Sequence, residues 1–357
     1  MKHNNISIFI PHTGCPHMCS FCNQHTISGT QKAPSPEEVK RICEQAYNEI
    51  PEKSDSEIAF FGGSFTAVPR EYMLELLESV QKFTGEKGFK GIRISTRPDC
   101  INTEILDILK KYHVTSIELG AQSMSNKVLE ANERGHTAED VFKASELIRQ
   151  YGFELGLQMM IGLYQSNGND EYDTMNKIIE IHPDTVRIYP VVILKGTKLA
   201  ELYESGKYEL FCSEDEKFDF QDVVEITATM MEMFEQNGIR VIKCGLHASE
   251  FVEKDMIGGF YHPAFRELCE NEIYKHLIYE KLFDMADLNR PQKYDEYETG
   301  KKLEKLHGNH ILAVNPNCIS KAVGQKKSNI EYFRNQGIYI KIIGDEKIPK
   351  YEVKLCT

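Results

Sequence analysis

Short runs of β-branched and aliphatic residues alternate with longer amphipathic stretches from Ile6 to about Cys244 of this 357-residue chain. The runs 6–10, 57–61, 91–95, 115–119, 155–161, 185–190 and 239–243 have the length and composition of strands. Between them lie helix-like segments at 36–49, 69–83, 102–112, 137–151, 169–182 and 216–237. The first opens at Ser35-Pro36-Glu37-Glu38, with Ser35 as N-cap and Pro36 at the first helical position. Strand–helix repetition of this kind predicts parallel strands joined by right-handed crossovers. Six or so such units make an open or closed α/β barrel with its chemistry at the C-terminal strand ends. Residues 246–290 read as a helical connection, with a helix from Pro263 to Phe283. From His310 the pattern runs strand, helix, basic loop, helix, strand. The expected organisation is therefore a partial (β/α) barrel over 1–245, a helical connection over 246–290 and a small α+β domain over 291–357.

Composition narrows the class. Hydrophobic residues at 41% and charged residues at 27% are those of a soluble globular protein. No unbroken apolar run reaches transmembrane length, and MKHNNISIFI lacks the apolar core and cleavage site of a signal peptide. Ten cysteines in a chain of this size, without a signal, point to a reducing cytosol rather than a disulfide framework. The formal net charge of −12 is unevenly spread: from Arg290 onward there are 13 Lys/Arg against 8 Asp/Glu, which leaves −17 on the rest. An acidic body with a basic tail points to a separate binding module.

Three of the cysteines, Cys15, Cys19 and Cys22, sit in GCPHMCSFCNQ with three and then two residues between them, directly after the first strand. Thiolates are the soft ligands of iron–sulfur clusters, and a closed four-iron centre takes four of them. Three ligands on one short loop hold three irons and leave the fourth open to a substrate or cofactor. The competing readings are a zinc site and ordinary buried thiols. Structural zinc sites prefer two cysteine pairs far apart in sequence, and no second pair exists here. His17 and His25 lie in or beside the loop and read as polar loop residues. Phe60-Phe61-Gly62-Gly63-Ser64-Phe65 ends the second strand, where two glycines let the backbone approach a ligand. Later strand ends offer Ser95, Gln122, Arg134 and Gln158, of which Arg134 can bind a carboxylate through a charge-assisted contact.

GCPHMCSFCNQ, FFGGSFTAVP, ISTRPDCI, IELGAQSMSNKVLEANERGHT and RIYPVVILKGTKLAELYESGKYE resemble, in order, motifs of the radical S-adenosylmethionine (SAM) core of the elongator catalytic subunit family. The layout is also similar to that of oxygen-independent coproporphyrinogen oxidase. The resemblance covers about residues 5–245. It implies a [4Fe–4S] cluster on Cys15, Cys19 and Cys22, and S-adenosylmethionine held by Gly62, Gly63, Ser64, Ser95, Gln122, Arg134 and Gln158. It also implies reductive cleavage of that cofactor to a 5′-deoxyadenosyl radical, with an electron donor such as flavodoxin or ferredoxin. The coproporphyrinogen enzymes carry an acid at the strand position of Ser95. The chain past residue 245 is too short for the elongator subunit's acetyltransferase domain, so that reaction is not carried over. No side chain is singled out as catalytic.

The stretch Val323-Gly324-Gln325-Lys326-Lys327-Ser328-Asn329-Ile330 resembles the I-G-x-x-G-x-x-I core of KH domains, whose loop clamps a single-stranded RNA backbone. Lys327 replaces the second glycine. Gly324, Lys326 and Lys327 are the expected RNA contacts, against the alternative of a solvated lysine turn. Two functions follow as expectations. One is a radical enzyme that modifies a tRNA or rRNA nucleotide. The other is a radical enzyme acting on a small metabolite, with the tail as a lid. Arg187, Tyr189, Tyr164, Lys195, His247 and His262 are further candidate substrate contacts, each also explicable as packing or surface pairing. No membrane partner is expected.

Overall fold

The computed structural model describes residues 4–11, 15, 18–30, 32–209, 217, 219–285 and 304–356. Seven strands form one sheet: β1 (Asn4–Ile10), β2 (Ser56–Gly62), β3 (Gly91–Thr96), β4 (Val114–Gln122), β5 (Glu154–Ile161), β6 (Thr185–Pro190) and β8 (Arg240–Cys244). All neighbours pair in parallel, and apart from the short β7 (Val192–Leu194) the spatial order is the chain order. β1 and β8 do not pair, so the barrel is open, a curled half-barrel with helices returning between its strands. The sequence expectation of a partial barrel holds.

Strand chemistry sorts the two faces. On β1, Ile6, Ile8 and Ile10 are buried, while Asn5, Ser7 and Phe9 line the cavity on the concave side. That concave side is polar in its lower half. Arg93 is buried and reaches carboxylates on three strands: Nε to Glu57 at 2.8 Å, Nη1 to Glu118 at 3.0 Å and Nη2 to Glu154 at 2.8 Å. Arg187 on β6 closes on Glu118 at 2.8 Å, and Lys90 reaches Glu154 at 3.1 Å from the rim. Two arginines and a lysine thus offset three carboxylates. Buried charge of this density is tolerated only when paired. Gly156 makes the space: a Cβ there would stand 2.8 Å from Glu118 Cγ and 2.9 Å from Thr185 Oγ1.

The chain packs into two units, Met1–Phe220 with Met233–Pro263, and Gln221–Glu232 with Ala264–Thr357. These boundaries differ from the expected 1–245, 246–290 and 291–357. Residues up to Pro263 stay with the barrel, because β9 (Met256–Gly259) pairs antiparallel with β7. The long helix Phe265–Met285, expected as a connection, supplies core to the second unit through Tyr274, Ile278 and Leu282. In that unit β10 (Gly308–Val314) lies between β11 (Ile338–Gly344), parallel to it, and β12 (Lys354–Cys356), antiparallel. Helices Ile319–Val323 and Ser328–Asn335 connect β10 to β11.

Candidate active site

The cysteine loop leaves the C-terminal end of β1 and is pinned by buried polar contacts. Ser20 Oγ donates to Asn132 Oδ1 at 2.8 Å, and the Ser20 amide donates to the Asn132 carbonyl at 3.2 Å. Asn132 is itself fixed, its Nδ2 donating to the Val128 and Tyr164 carbonyls at 2.8 and 2.9 Å. Cys15, Cys19 and Cys22 carry free thiols and line one cavity. Among the described residues no three His, Cys, Asp or Glu side chains group closely enough to ligate a single ion. Thiols that share a cavity without meeting at one point suit a cluster in which each iron takes its own thiolate. Burial pushes the Cys22 thiol up to about 12, and the neighbouring Cys19 and Cys15 add to the rise. Burial also raises Cys15, against a hydrogen bond from the Ser64 backbone. Three such thiolates need positive charge, which an iron–sulfur cluster supplies.

At the end of β2, Gly62 has φ +112°, and a Cβ there would lie 2.8 Å from the Ile10 carbonyl oxygen. Only glycine fits this close approach. The turn is held by the Gly63 amide donating to Ile10 O at 2.8 Å, and Gln24 Nε2 donates to Gly62 O at 2.6 Å. Behind it Ser64 Oγ is 2.8 Å from Thr96 Oγ1, which is 2.6 Å from Thr66 Oγ1. The β4 end is irregular as well. Pairing with β5 shifts between Gly120 and Gln122, and Gln122 takes φ +65°. A bulge of this kind re-aims a side chain at a strand end.

Arg134 is buried, with Nη2 donating to the Gly120 carbonyl at 2.6 Å and Nη1 3.0 Å from Cys19 Sγ. Arg97 donates to the Arg134 carbonyl and to both oxygens of Asp99, at 2.9 and 3.0 Å. Gln158 Nε2 donates to Glu118 at 3.0 Å. Ser95 Oγ, Gln122 Oε1 and Arg134 Nε are buried without a hydrogen-bond partner. Such orphans are costly and call for a polar ligand. All ten residues expected for cluster and cofactor line this cavity of about 100 Å³, which is open to solvent. The thiol set, the glycine cradle and the orphaned polar atoms, donor and acceptor, fit an iron–sulfur cluster with S-adenosylmethionine.

A second cavity of about 540 Å³ occupies the barrel lumen and shares Phe21, Cys22, Gln24, Gly62, Ser95, Gln122 and Gln158 with the first. Its walls include Phe9, Phe61, Met160, Arg187, Tyr189, Lys243 and His247. Phe9 and Phe61 are 6.2 Å apart between ring centroids, and the Arg187 guanidinium lies 4.9 Å over the Phe61 ring. Arg187, Tyr189 and His247 thus join the cavity wall. By contrast, Tyr164 packs on Tyr208, Lys195 donates to Lys254 O at 3.2 Å, and His262 packs on Phe220. Sequence reading missed Gln24, Arg97 and Asn132. All three stood inside quoted motifs, but nothing in those motifs marked Asn132 as the partner of Ser20, 112 residues away.

Gly324, Lys326 and Lys327 lie in the second unit, in the turn between its two short helices. Lys326 and Lys327 both take positive φ, +53° and +68°, so the chain makes a tight left-handed turn where a KH loop would have its second glycine.

Residues 9–178 match the Radical SAM superfamily and residues 183–275 the Radical_SAM C-terminal domain. An uncharacterised protein of Methanocaldococcus jannaschii is 32% identical over 58% of this chain and 62% of its own length. A tRNA uridine(34) acetyltransferase of the same organism is 31% identical over 44% of this chain and 33% of its own length. The chain thus spans less than two thirds of either relative. The solved structure of the archaeal Methanocaldococcus infernus Elp3 shares the fold, with a TM-score of 0.52 at 19% identity, over 70% of this chain and 61% of that one. With two adjoining family matches on a half-barrel of seven parallel strands, the chain belongs to the radical SAM superfamily and is an enzyme that works with a [4Fe–4S] cluster and S-adenosylmethionine.

Proposed function

We propose that this enzyme modifies a nucleotide of tRNA or rRNA, with Cys15, Cys19 and Cys22 holding the cluster. When bound, the reduced cluster and S-adenosylmethionine together supply a 5′-deoxyadenosyl radical. Gly62 and Gly63 present main-chain polar groups to the methionine ammonium, with Ser64 at the turn. Arg134 faces the methionine carboxylate, and Ser95, Gln122 and Gln158 face the rest of the cofactor. Asn132 and Ser20 keep the cysteine loop in register with that cradle. A flavodoxin or ferredoxin delivers the electron.

One observation carries the reading: the cofactor cavity and the lumen share a wall, so a group in the lumen is next to the cofactor. The lumen offers the Phe9 and Phe61 rings and the Arg187 guanidinium, the surfaces on which an unstacked base is held. The similarity to a tRNA uridine(34) acetyltransferase and the Gly324–Lys327 turn favour RNA over a small metabolite. The test compares nucleosides of tRNA and rRNA from a deletion strain and its parent by mass spectrometry. A nucleoside missing from the deletion strain, and restored in its RNA by the anaerobically reconstituted protein, is the expected result. Identical nucleosides, with 5′-deoxyadenosine release stimulated by a metabolite extract and not by RNA, would replace the RNA reading with the metabolite one.

A further inference from the structure

In the second unit one face of the three-stranded sheet is covered and the other is open. The covered face is formed by Leu312 on β10, Ile338, Ile340 and Ile342 on β11 and Leu355 on β12, packed with Ile278, Leu282 and Phe333 of the helices. Alternation along a strand sends the intervening residues to the other side. There Tyr339 is 55% exposed, Ile311 42% and Ile343 36%, and Lys341 and Lys354 are exposed as well. The strand register sets these residues side by side. Asn309 is opposite Tyr339, Ile311 lies between Lys341 and Cys356, and Ala313 lies between Ile343 and Lys354.

Exposed apolar side chains gathered on one sheet face mark a contact surface. Charge narrows the partner: the charged side chains at the strand positions of this face are Lys341 and Lys354, and none of those positions is acidic. Tyr339 sits at one end of this face beside Asn309 and Lys341, while Lys354 stands on the far edge strand beyond Ala313. A ring at one end and lysines along and across the sheet give the parts that single-stranded nucleic acid uses. A base stacks on the ring and phosphates meet the lysines.

We infer that this open face is a stacking platform for single-stranded RNA, with Tyr339 carrying a base and Lys341 and Lys354 the backbone. The inference rests on the RNA reading of the active site and adds a place where the substrate is gripped outside the lumen. It is also separate from the Gly324–Lys327 turn. That turn lies between the helices, of which Ser328–Asn335 packs through Phe333 on the covered face.

The test is a filter-binding titration of the full chain with oligouridine and with bulk tRNA at several salt concentrations. Tyr339→Ala is expected to weaken binding about ten- to a hundredfold, and Tyr339→Phe, which keeps the ring, to stay within about twofold of wild type. Lys341→Ala with Lys354→Ala is expected to flatten the dependence of log affinity on log salt by about 1.4, at about 0.7 per phosphate contact. RNA binding by the wild type with Tyr339→Ala and the double lysine variant unchanged would overturn the platform and leave the RNA substrate standing. Absence of any RNA binding by the wild type would overturn both. A change in sedimentation on Ile343→Lys with RNA affinity unaltered would assign the face to a second copy of this chain and overturn the inference.

Discussion

Arg134 has to satisfy two demands with one guanidinium: its Nη2 is tied to the Gly120 carbonyl and its Nη1 faces the Cys19 sulfur. The Nε, buried without a partner on a residue that lines the cavity, is the part left for a ligand carboxylate. Replacement by Ala is therefore expected to preserve iron content and weaken S-adenosylmethionine binding about ten- to a hundredfold, the worth of one charge-assisted contact. Iron assay and equilibrium binding on the reconstituted protein check this, and loss of iron in step with affinity would assign Arg134 to Cys19 instead. Glu171 gives a second test at this scale. It is buried beside β5, accepting from the Gly162 amide and the Ser166 hydroxyl at 2.8 Å each. Burial pushes its carboxyl up to about 7, with those two hydrogen bonds opposing and Asp170 adding to the rise. Below the ordinary value of 4.5 the folded and unfolded chains both hold the proton. Between there and about 7 only the folded chain does, so stability falls as the pH rises through that window and levels off above it. The loss amounts to about 3 kcal/mol at roughly 1.4 kcal/mol per unit. Glu171→Gln keeps the acceptor and removes the titration. The change in urea midpoint from about pH 5 to about pH 8 should differ between wild type and variant, the wild type losing more stability over that interval. An equal change in both would show that Glu171 does not titrate there.

Among the elements, the cysteine loop depends on the turn after helix Asn126–Ala131, because Asn132 holds it from both main chain and side chain. Asn132→Ala leaves the Ser20 hydroxyl and the Tyr164 carbonyl without those partners, each worth about 1–3 kcal/mol when buried. The expected outcome is a folded protein by circular dichroism that loads substantially less iron, and full loading would show that the cluster alone orders the loop. What was legible at this scale was local. The helix Pro36–Glu49 begins with the capping box read from Ser35 and Glu38, the Ser35 hydroxyl accepting from the Glu38 amide at 3.2 Å. All seven strands of the sheet were visible as β-branched runs, because both faces of a parallel sheet exclude much of the water. Asn132 was not legible, since an asparagine in a turn carries no mark of a partner so far along the chain.

Across the whole molecule, the buried charges of the half-barrel tie β2, β3, β4, β5 and β6 through side chains as well as main chain. Arg93→Met takes the buried guanidinium from Glu57, leaving that carboxylate to the Thr115 and Ser116 hydroxyls and to Lys90 at 3.9 Å, while Glu118 keeps Arg187. The change is expected to destabilise the fold by about 3–5 kcal/mol. Adding Glu57→Gln should cost less than the sum of the two single changes, because one stranded charge is then removed. A urea-denaturation cycle measures this, and strict additivity would mean that the network is not coupled. Arginine and glutamate at alternate strand positions look like an exposed strand face in the sequence. Only the curvature of the sheet turns that face inward, so the barrel was readable while its charged interior was not. The unit boundaries were hidden for a related reason: β7 and β9 pair across some sixty residues, and neither is long enough to stand out.

Order of synthesis gives the anchoring of the cysteine loop a temporal meaning. Cys19 leaves the ribosome 115 residues before Arg134, and Ser20 leaves 112 residues before Asn132. At ordinary translation rates that gap lasts on the order of ten seconds, and the thiols spend it without the groups that later enclose them. A nascent chain in air therefore exposes these three thiols early and encloses them only after Asn132 and Arg134 have emerged. Yield of loadable protein should accordingly depend on the oxygen present during translation more steeply than on oxygen met after folding, a difference that delayed aeration of an expressing culture can measure.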